Sequence, residues 1–429
     1  MRNKVRELQR SLYRAAKANP ERCFHSLYDK VYRSDVLWEA WKRVKSNQGA
    51  PGNDGVSIKM VEEYGEIRYL KELQQELREK RYRVKSIRRV YIPKPNGQKR
   101  PLGIPFVRER IVQTAVKIVL EPIAEARFLD CSYGFRPKRS TWDATKRVWK
   151  YLNFGSTQVL KVDLRSYFDT IPHDRLMNLI RRNVADENIL KMVKAWLKAK
   201  VVDHGEVFNP EEGSPQGGVV SPTLSNWYLH QFDKEWHRRN NHRRWRYDAA
   251  LTRYADDVLL QAPKEDLRIL DEAKEILEGL GLTINMEKTR FQNAREGFDY
   301  LGYHFIRDYS ARHHKDVTHV IPTKESKKRV WGKINWYTDK RRYQNLPVAW
   351  IVEHINPILL GWTNYYSHTH SHLIFKQLQT YTNNRIRKAL RYRVKKGGVG
   401  RYRELPNEIL YRRYGLTCIG MNRIQYDWS

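Results

Sequence analysis

The chain has 429 residues, 40% hydrophobic and 12% aromatic, which excludes a disordered polymer and allows two or three domains. Lys and Arg number 81 against 48 Asp and Glu, a net charge of +33; this favours a polyanionic partner, and the Tyr and Trp interleaved with the cations point to nucleic acid. Cys23, Cys131 and Cys418 lie far apart without a CxxC pair, there is no membrane-length apolar run, and the first residues lack a secretory segment, so a cytoplasmic setting is expected, with no zinc knuckle, disulfide scaffold or membrane.

The first forty-odd residues read as basic helices. A turn cluster, "NQGAPGNDGVS" (47–57), leads to another helical run ending near "REKRY". "RRVYIPKPNGQKRPLGIP" (88–105) reads as two short strands about a "KPNG" turn. "RERIVQTAVKIVLEPIAEARF" (108–128) has helical periodicity and stops at "DCSYGFRPKRS". "QVLKVDLRSYF" reads as a strand with a sharp exit, followed by the helix "HDRLMNLIRRNV" with Asp174 as its expected cap. "GSPQGGVVSPTLSNWYLHQFDKEWHRR" (213–239) reads as a glycine-rich loop entering an amphipathic helix. "RYADDVLL" (253–260) is a hairpin candidate, "KEDLRILDEAKEILEGLGL" (264–282) a helix and "FDYLGYHFI" (298–306) a last strand. Strands are expected to stop after about residue 310, where three basic, aromatic-rich helices follow, with a boundary near 306–325.

Asp256 and Asp257 stand beside Val258, Leu259 and Leu260, which favour an apolar environment. Removing a carboxylate from water costs several kcal/mol unless it is compensated. These acids therefore sit at a solvated turn or share a cation. Asp163, closing the apolar strand of "LKVDLRSYFD" (160–169), has a cap or turn as its ordinary reading. Together, the three carboxylates have the oxygen chemistry to hold two Mg²⁺ ions for in-line phosphoryl transfer. No GxxxxGK[ST] loop is present, which disfavours NTPases of that class.

At these residues the sequence resembles the reverse transcriptases encoded by group II introns. "DLRSYFD" and "YADD" resemble the two metal-binding polymerase motifs, and "SPQGGVVSPTLSN" (214–226) the loop and helix under the templating base. "IPKPNGQKRPLGIP" and "YGFRPKRS" (133–140) resemble fingers motifs. "LGLTINMEKTR" (280–290) and "YLGYHF" (300–305) resemble motifs that close the palm. "GAPGNDGVS" is similar to the template-covering N-terminal loop, and "INPILLGWTNYYSH" (355–368) to the maturase, or X, domain.

The resemblance implies an α+β right-hand polymerase followed by an all-helical thumb. Residues 1–80 would be the N-terminal extension, 81–306 fingers and palm, 307–399 the thumb and maturase domain, and 400–429 a short basic tail. It makes Asp163, Asp256 and Asp257 the catalytic ligands of two Mg²⁺ ions and places Ala255 beside the primer terminus. Phe168 would exclude a ribose 2′-hydroxyl. Lys94 and Arg100 would hold the dNTP triphosphate, although a solvated basic hairpin is their ordinary reading. Gln216 would lie near the nucleotide and, with Gly217 and Gly218, near the template. Lys288 approaches the triphosphate or is a surface lysine.

Arg136 is expected on the nucleic acid, and Arg385, Arg387, Lys388, Arg391 and Arg393 on RNA. Trp362, Tyr365 and Tyr366 are more often core, and His368, His370 and His372 an exposed loop rather than a metal site. "VEHINP" lacks the partners of an HNH nuclease, so no endonuclease is expected. The implied partners are group II intron RNA, an RNA template with a DNA primer, target DNA and dNTPs. The implied function is copying of intron RNA into cDNA, with assistance to splicing. The rivals are a reverse transcriptase recruited to host defence or repair, and an RNA-binding splicing cofactor with a vestigial polymerase.

Overall fold

The computed structural model describes residues 4–93, 97–214, 217–241, 248–311, 314–343, 345–394 and 405–419; of residues 241, 340 and 391–394 the backbone alone is described. Its strands are β1 (Ile87–Pro93), β2 (Lys99–Ile104), β3 (Gln158–Val162), β4 (Val201–Asp203), β5 (Glu206–Phe208), β6 (Ala250–Tyr254), β7 (Asp257–Ala262), β8 (Arg290–Asn293), β9 (Phe298–Tyr300), β10 (Tyr303–Ser310) and β11 (Lys315–Pro322). The strands form three sheets, ordered β2-β1-β4-β5, β6-β7-β3-β8 and β11-β10-β9. The chain divides into two compact units, residues 1–140 with 160–260 and 265–291, and residues 141–159 with 261–264 and 292–429.

In the first unit the helix Val107–Glu125 is buried nearly all round. Ile111, Val112, Ala115, Val116, Ile118 and Val119 are all buried, the pattern of a helix inside a core rather than on a surface. The β1–β2 hairpin is antiparallel with Pro93 opposite Lys99, and β1 also pairs in parallel with β4. The helix Ser221–Asn241 departs from the expected amphipathic pattern, since Leu224 through His230 are all buried. Asp174 is not the cap of its helix. Pro172 occupies that position without a side-chain bond, and Asp174 lies in the first turn, where its charge suits the helix dipole.

In the second unit the expected last strand is broken. Leu301 and Gly302 have φ of 51° and 80°, so "FDYLGYHFI" folds back as β9 and β10 with Tyr300 opposite Tyr303. Strands also continue past residue 310, because β11 pairs along the whole of β10. The helix Thr141–Asn153 belongs to this unit: Trp149 Nε1 donates to the Thr318 carbonyl at 3.1 Å, and Arg307 to that of Leu152 at 2.8 Å. The last break between the two compact units falls at 291/292.

The helices Lys324–Tyr337, Val348–Tyr365 and His372–Val394 share a core that includes Ile334, Ile351, Ile355, Leu359, Leu378 and Ile386. Part of the expected tail joins them. Leu410, Leu416 and Ile419 are buried in the same cluster, and Asn356 bonds the backbone of Gly415 and Thr417 at 2.9 Å each. Among the described residues no helix is long and apolar enough to cross a membrane.

Candidate active site

The first unit brings the three acids together. β6 and β7 are joined by the two-residue turn Ala255–Asp256; Asp257 opens β7, and Asp163 directly follows β3, the neighbouring strand. The segment "LTINMEKT" fastens Asp163 from the other side. The Asp163 carbonyl accepts from the Asn285 amide at 2.8 Å, its amide donates to Thr289 Oγ1 at 3.1 Å, and Arg165 N–H donates to the Thr283 carbonyl at 2.9 Å.

Burial decides how Asp256 and Asp257 titrate. It raises Asp256 above the usual carboxylate range, and Asp163 adds to the rise, while the Asp256 backbone, Arg100 and Arg253 oppose it. Asp257 is pushed to about 6, first by burial, then by Asp256 and Asp163, against the pull of Lys161 and Arg100. Three acids within electrostatic reach, two of them destabilised as anions, fit a site that takes up positive charge. Among the described residues no three His, Cys, Asp or Glu side chains are already closed into a metal cage. Mg²⁺ does not require one, since it keeps several waters and takes substrate oxygens. The donor set, hard carboxylate oxygens, fits a divalent cation of that kind.

Arg100 stands exposed on β2, and its charge reaches Asp256 and Asp257. Lys288 Nζ lies 3.6 Å from Asp163 Oδ2, with the lysine largely exposed, so such a pair contributes little to stability. Lys94 and Gln216 lie outside the described residues. Ala255, expected beside the primer terminus, is buried, with Gly134 packed against its backbone.

Phe168 lies in a short 3-10 turn, Tyr167–Asp169, after a left-handed Ser166. The glycine-rich loop docks on that turn, with the Ser214 amide donating to the Phe168 carbonyl at 2.6 Å and Gly213 N–H to the Ile171 carbonyl at 2.8 Å. Gly217 has φ of 110°, and a Cβ there would collide with the Gly103 carbonyl; only glycine permits this approach. Gly218 is buried. A cavity of about 320 Å³ opens beside Phe168, lined also by Arg89, Pro101, Gly103, Asp169 and Ser214.

Several expected nucleic-acid contacts are corrected. Arg136 is buried, its side chain 2% exposed; it pairs with Glu125 at 2.6 Å and donates to the Leu129 and Ser132 carbonyls. A guanidinium with its donors so occupied braces the fold rather than gripping a phosphate. Arg387 is likewise buried, bonded to the Leu405 carbonyl, Asn384 and Asn407. Arg385 donates to Thr338 Oγ1 at 2.8 Å and to the Asn335 and Thr338 carbonyls, closing the C-terminus of the helix Lys324–Tyr337. Lys388 is exposed, and the side chains of Arg391 and Arg393 lie outside the described set.

The aromatic residues of "GWTNYYSH" dock their helix in the second unit. Trp362 Nε1 donates to Ser326 Oγ at 3.0 Å, and the Tyr365 and Tyr366 hydroxyls to the Leu301 and Gly302 carbonyls. The histidines do not form an exposed loop. His368 stacks on Trp142 at 4.6 Å, and His370 accepts the Val320 N–H and packs edge-on to His319.

Sequence reasoning missed the residues that hold the loops. Gln113 is buried, and its carbonyl accepts the Val219 N–H at 2.8 Å beyond the glycine-rich loop. A glutamine set between the apolar pairs Ile111–Val112 and Ala115–Val116 was the available signal. Arg253, just ahead of "YADD", is wholly buried and paired with Asp233, although an arginine in a strand pattern reads as solvent-facing.

A four-stranded sheet with acids on a hairpin turn and on the adjoining strand end, beside a cationic hairpin, fits the α+β fold of a right-hand polymerase. Residues 92–305 match the family described as reverse transcriptase (RNA-dependent DNA polymerase), and residues 327–407 match the group II intron, maturase-specific domain. The protein YkfC of Escherichia coli (strain K12) is 36% identical over 360 residues, covering 75% of this chain and 94% of that protein. The group II intron-encoded protein LtrA of Lactococcus lactis subsp. cremoris is 35% identical over 50% of this chain and 36% of its own length. A putative COX1/OXI3 intron 2 protein of Saccharomyces cerevisiae is 30% identical over 62% of this chain and 37% of that protein. The chain belongs to the group II intron reverse transcriptase/maturase family, whose polymerase is RNA-directed and makes DNA.

Proposed function

We propose that this reverse transcriptase copies group II intron RNA into cDNA by two-metal nucleotidyl transfer and assists the splicing and mobility of its intron. The observation that carries the catalytic part is the meeting of Asp163, Asp256 and Asp257 at adjacent strand ends, with burial and mutual repulsion holding two of them above the usual carboxylate range. Asp163 and Asp256 would hold two Mg²⁺ ions, with Asp257 alongside. When bound, the ions supply charge neutralisation at the phosphate and ease ionisation of the attacking 3′-hydroxyl.

The chain's own residues then have defined work. Arg100 presents a planar cation for the triphosphate, and Lys94, close to it in sequence, would be the second cation. Phe168 stands where a ribose 2′-hydroxyl is to be refused, backed by the docked loop at Ser214. Lys288, beside Asp163, is placed to move onto the triphosphate once other cations take up that acid. Gly217 and Gly218 let the backbone approach the nucleotide and template.

For RNA, the exposed Lys388 remains a candidate. It is joined by Arg329 and Lys333, which flank a cavity of about 770 Å³ with Trp362 and Tyr365 in the second unit. Aromatic faces next to cations suit unpaired bases and phosphates. The segmentation into N-terminal extension, fingers and palm, and thumb belongs to the same proposal, as do the DNA primer, target DNA and dNTPs as partners.

Primer extension on an RNA template, with dNTPs and Mg²⁺, tests the reading against Asp256→Asn. cDNA from the intact chain and none from the variant is the expected result. Tight RNA binding without cDNA from the intact chain would leave a splicing cofactor as the better description.

A further inference from the structure

We propose that Arg253 is a positioning residue for the polymerase reaction: with Asp233, Asn226 and Gly134 it holds the catalytic turn in a left-handed conformation at Ala255 and so sets where Asp256 points. The proposal rests on the reading of Asp256 as a metal-binding acid.

Ala255 has φ of 56°, a region that residues with a Cβ avoid and that two-residue hairpin turns ordinarily fill with Gly, Asn or Asp. Something must hold it there. Arg253 and Asp233 are both fully buried; Nε and Nη2 of the guanidinium donate to the two Asp233 oxygens at 2.8 and 2.5 Å. Its Nη1 donates to Asn226 Oδ1 at 3.0 Å and to the Ala255 carbonyl at 2.9 Å. The last bond separates this pair from an ordinary buried ion pair, because it grips the first residue of the turn directly before Asp256.

The same network closes on the other side of the turn. Asn226 Nδ2 donates to the Gly134 carbonyl at 2.7 Å. The backbone of residues 131–133 runs beside β6, with Arg253 N–H donating to the Cys131 carbonyl at 2.7 Å and Tyr133 N–H to the Arg253 carbonyl at 2.8 Å. This presses Gly134 against the turn, where a Cβ would collide with the Ala255 amide nitrogen. The Ala255 carbonyl is thus fixed by a side chain and its amide by a glycine, leaving the following peptide little freedom. A misplacement of about 1 Å in a catalytic group costs about 100-fold in rate.

The test uses the full chain and compares Arg253→Lys, Gly134→Ala, and each combined with Ala255→Gly, with Asp256→Asn as the inactive reference. Glycine adopts positive φ without help, so it should replace the grip. The measurements are kcat and KM for dNTP in primer extension, Kd for the RNA–DNA primer-template by fluorescence anisotropy without Mg²⁺, and thermal melting. Arg253→Lys and Gly134→Ala are each expected to lower kcat by about 30- to 100-fold, with KM and Kd within about twofold. Adding Ala255→Gly to Arg253→Lys should recover about tenfold without restoring the melting temperature, whereas in Gly134→Ala it should recover little, because the new Cβ meets the backbone at Tyr254 and Ala255, which glycine keeps.

Wild-type kcat in Gly134→Ala, or a loss in Arg253→Lys that follows the fraction unfolded and is not recovered by Ala255→Gly, would overturn the proposal and leave the pair a core brace. If Arg253→Lys does not fold, Gly134→Ala, in which the guanidinium keeps its partners, carries the test. An inactive wild-type chain would instead overturn the catalytic reading itself.

Discussion

The catalytic sheet of the first unit and the helical bundle of the second use charge in opposite ways. In the sheet, a fully paired Arg253 and Asp233 frame two acids, Asp256 and Asp257, that burial and mutual repulsion hold above the usual carboxylate range. In the bundle, arginines that read as an RNA-binding stripe are consumed internally: Arg387 by Leu405, Asn384 and Asn407, and Arg385 by a helix C-terminus. Basic composition is therefore a poor guide to where nucleic acid binds. The informative charges are those that the fold leaves without an internal use.

That contrast can be broken or sharpened by measurement. The largest expected effect is on binding: if about eight phosphates are neutralised, affinity for RNA falls by about 10³–10⁵ between 50 and 200 mM salt, read by filter binding. Nearly salt-independent binding would break the polyanion reading of both units. Next, Asp256→Asn should reduce primer extension by roughly 10³-fold or more while RNA affinity is unchanged. An equal loss of binding would mean that the acid supports the fold rather than the reaction.

In the bundle, Arg387→Ala should cost about 2–3 kcal/mol of stability in urea, because a charged donor is removed from three internal acceptors. Lys388→Ala should change stability by less than about 0.5 kcal/mol and lower the salt slope of RNA binding by about one. If the two variants behave alike, the division between spent and available cations is wrong.

Asp257 offers a comparable test in the sheet. Its carboxyl, raised to about 6, keeps its proton in the folded chain between about pH 4 and 6, where the unfolded chain has already lost it. Stability of the metal-free chain therefore falls as pH rises through this window, and the penalty persists above it. Asp257→Asn removes the penalty, so without metal this variant should be the more stable by about 3 kcal/mol at pH 7. Below about pH 4 the advantage should vanish. Mg²⁺ should favour the native acid, and a variant less stable at pH 7 without metal would show that Asp257 is already compensated.

Much of the fold was legible because its signals are local. The paired strand patterns flanking "KPNG", the period of "RERIVQTAVKIVLEPIAEARF" and the hairpin at "YADD" each depend on neighbours a few residues apart. The misses share a different cause. Asp174 looked like a cap because the composition of a helix start does not specify which residue has the non-helical backbone. "FDYLGYHFI" looked continuous because a left-handed Leu301–Gly302 pair leaves little trace between apolar residues. Arg136 and Arg387 looked solvent-facing because a lone arginine is usually so, and Glu125 and Leu405, which take them up, lie 11 and 18 residues away.

By itself, the sequence determined which chemistry this chain carries. Acid-bearing strand ends, a cationic turn, a glycine-rich loop and an aromatic-rich basic C-terminal part are properties of residue type and spacing, and they survive any detail of packing. Only the tertiary structure decided which charges are available to act. A carboxylate or guanidinium is made functional or structural by its burial and its partners, and those come from segments brought together across the chain, as Gly134, Asn226 and Asp233 are around Arg253.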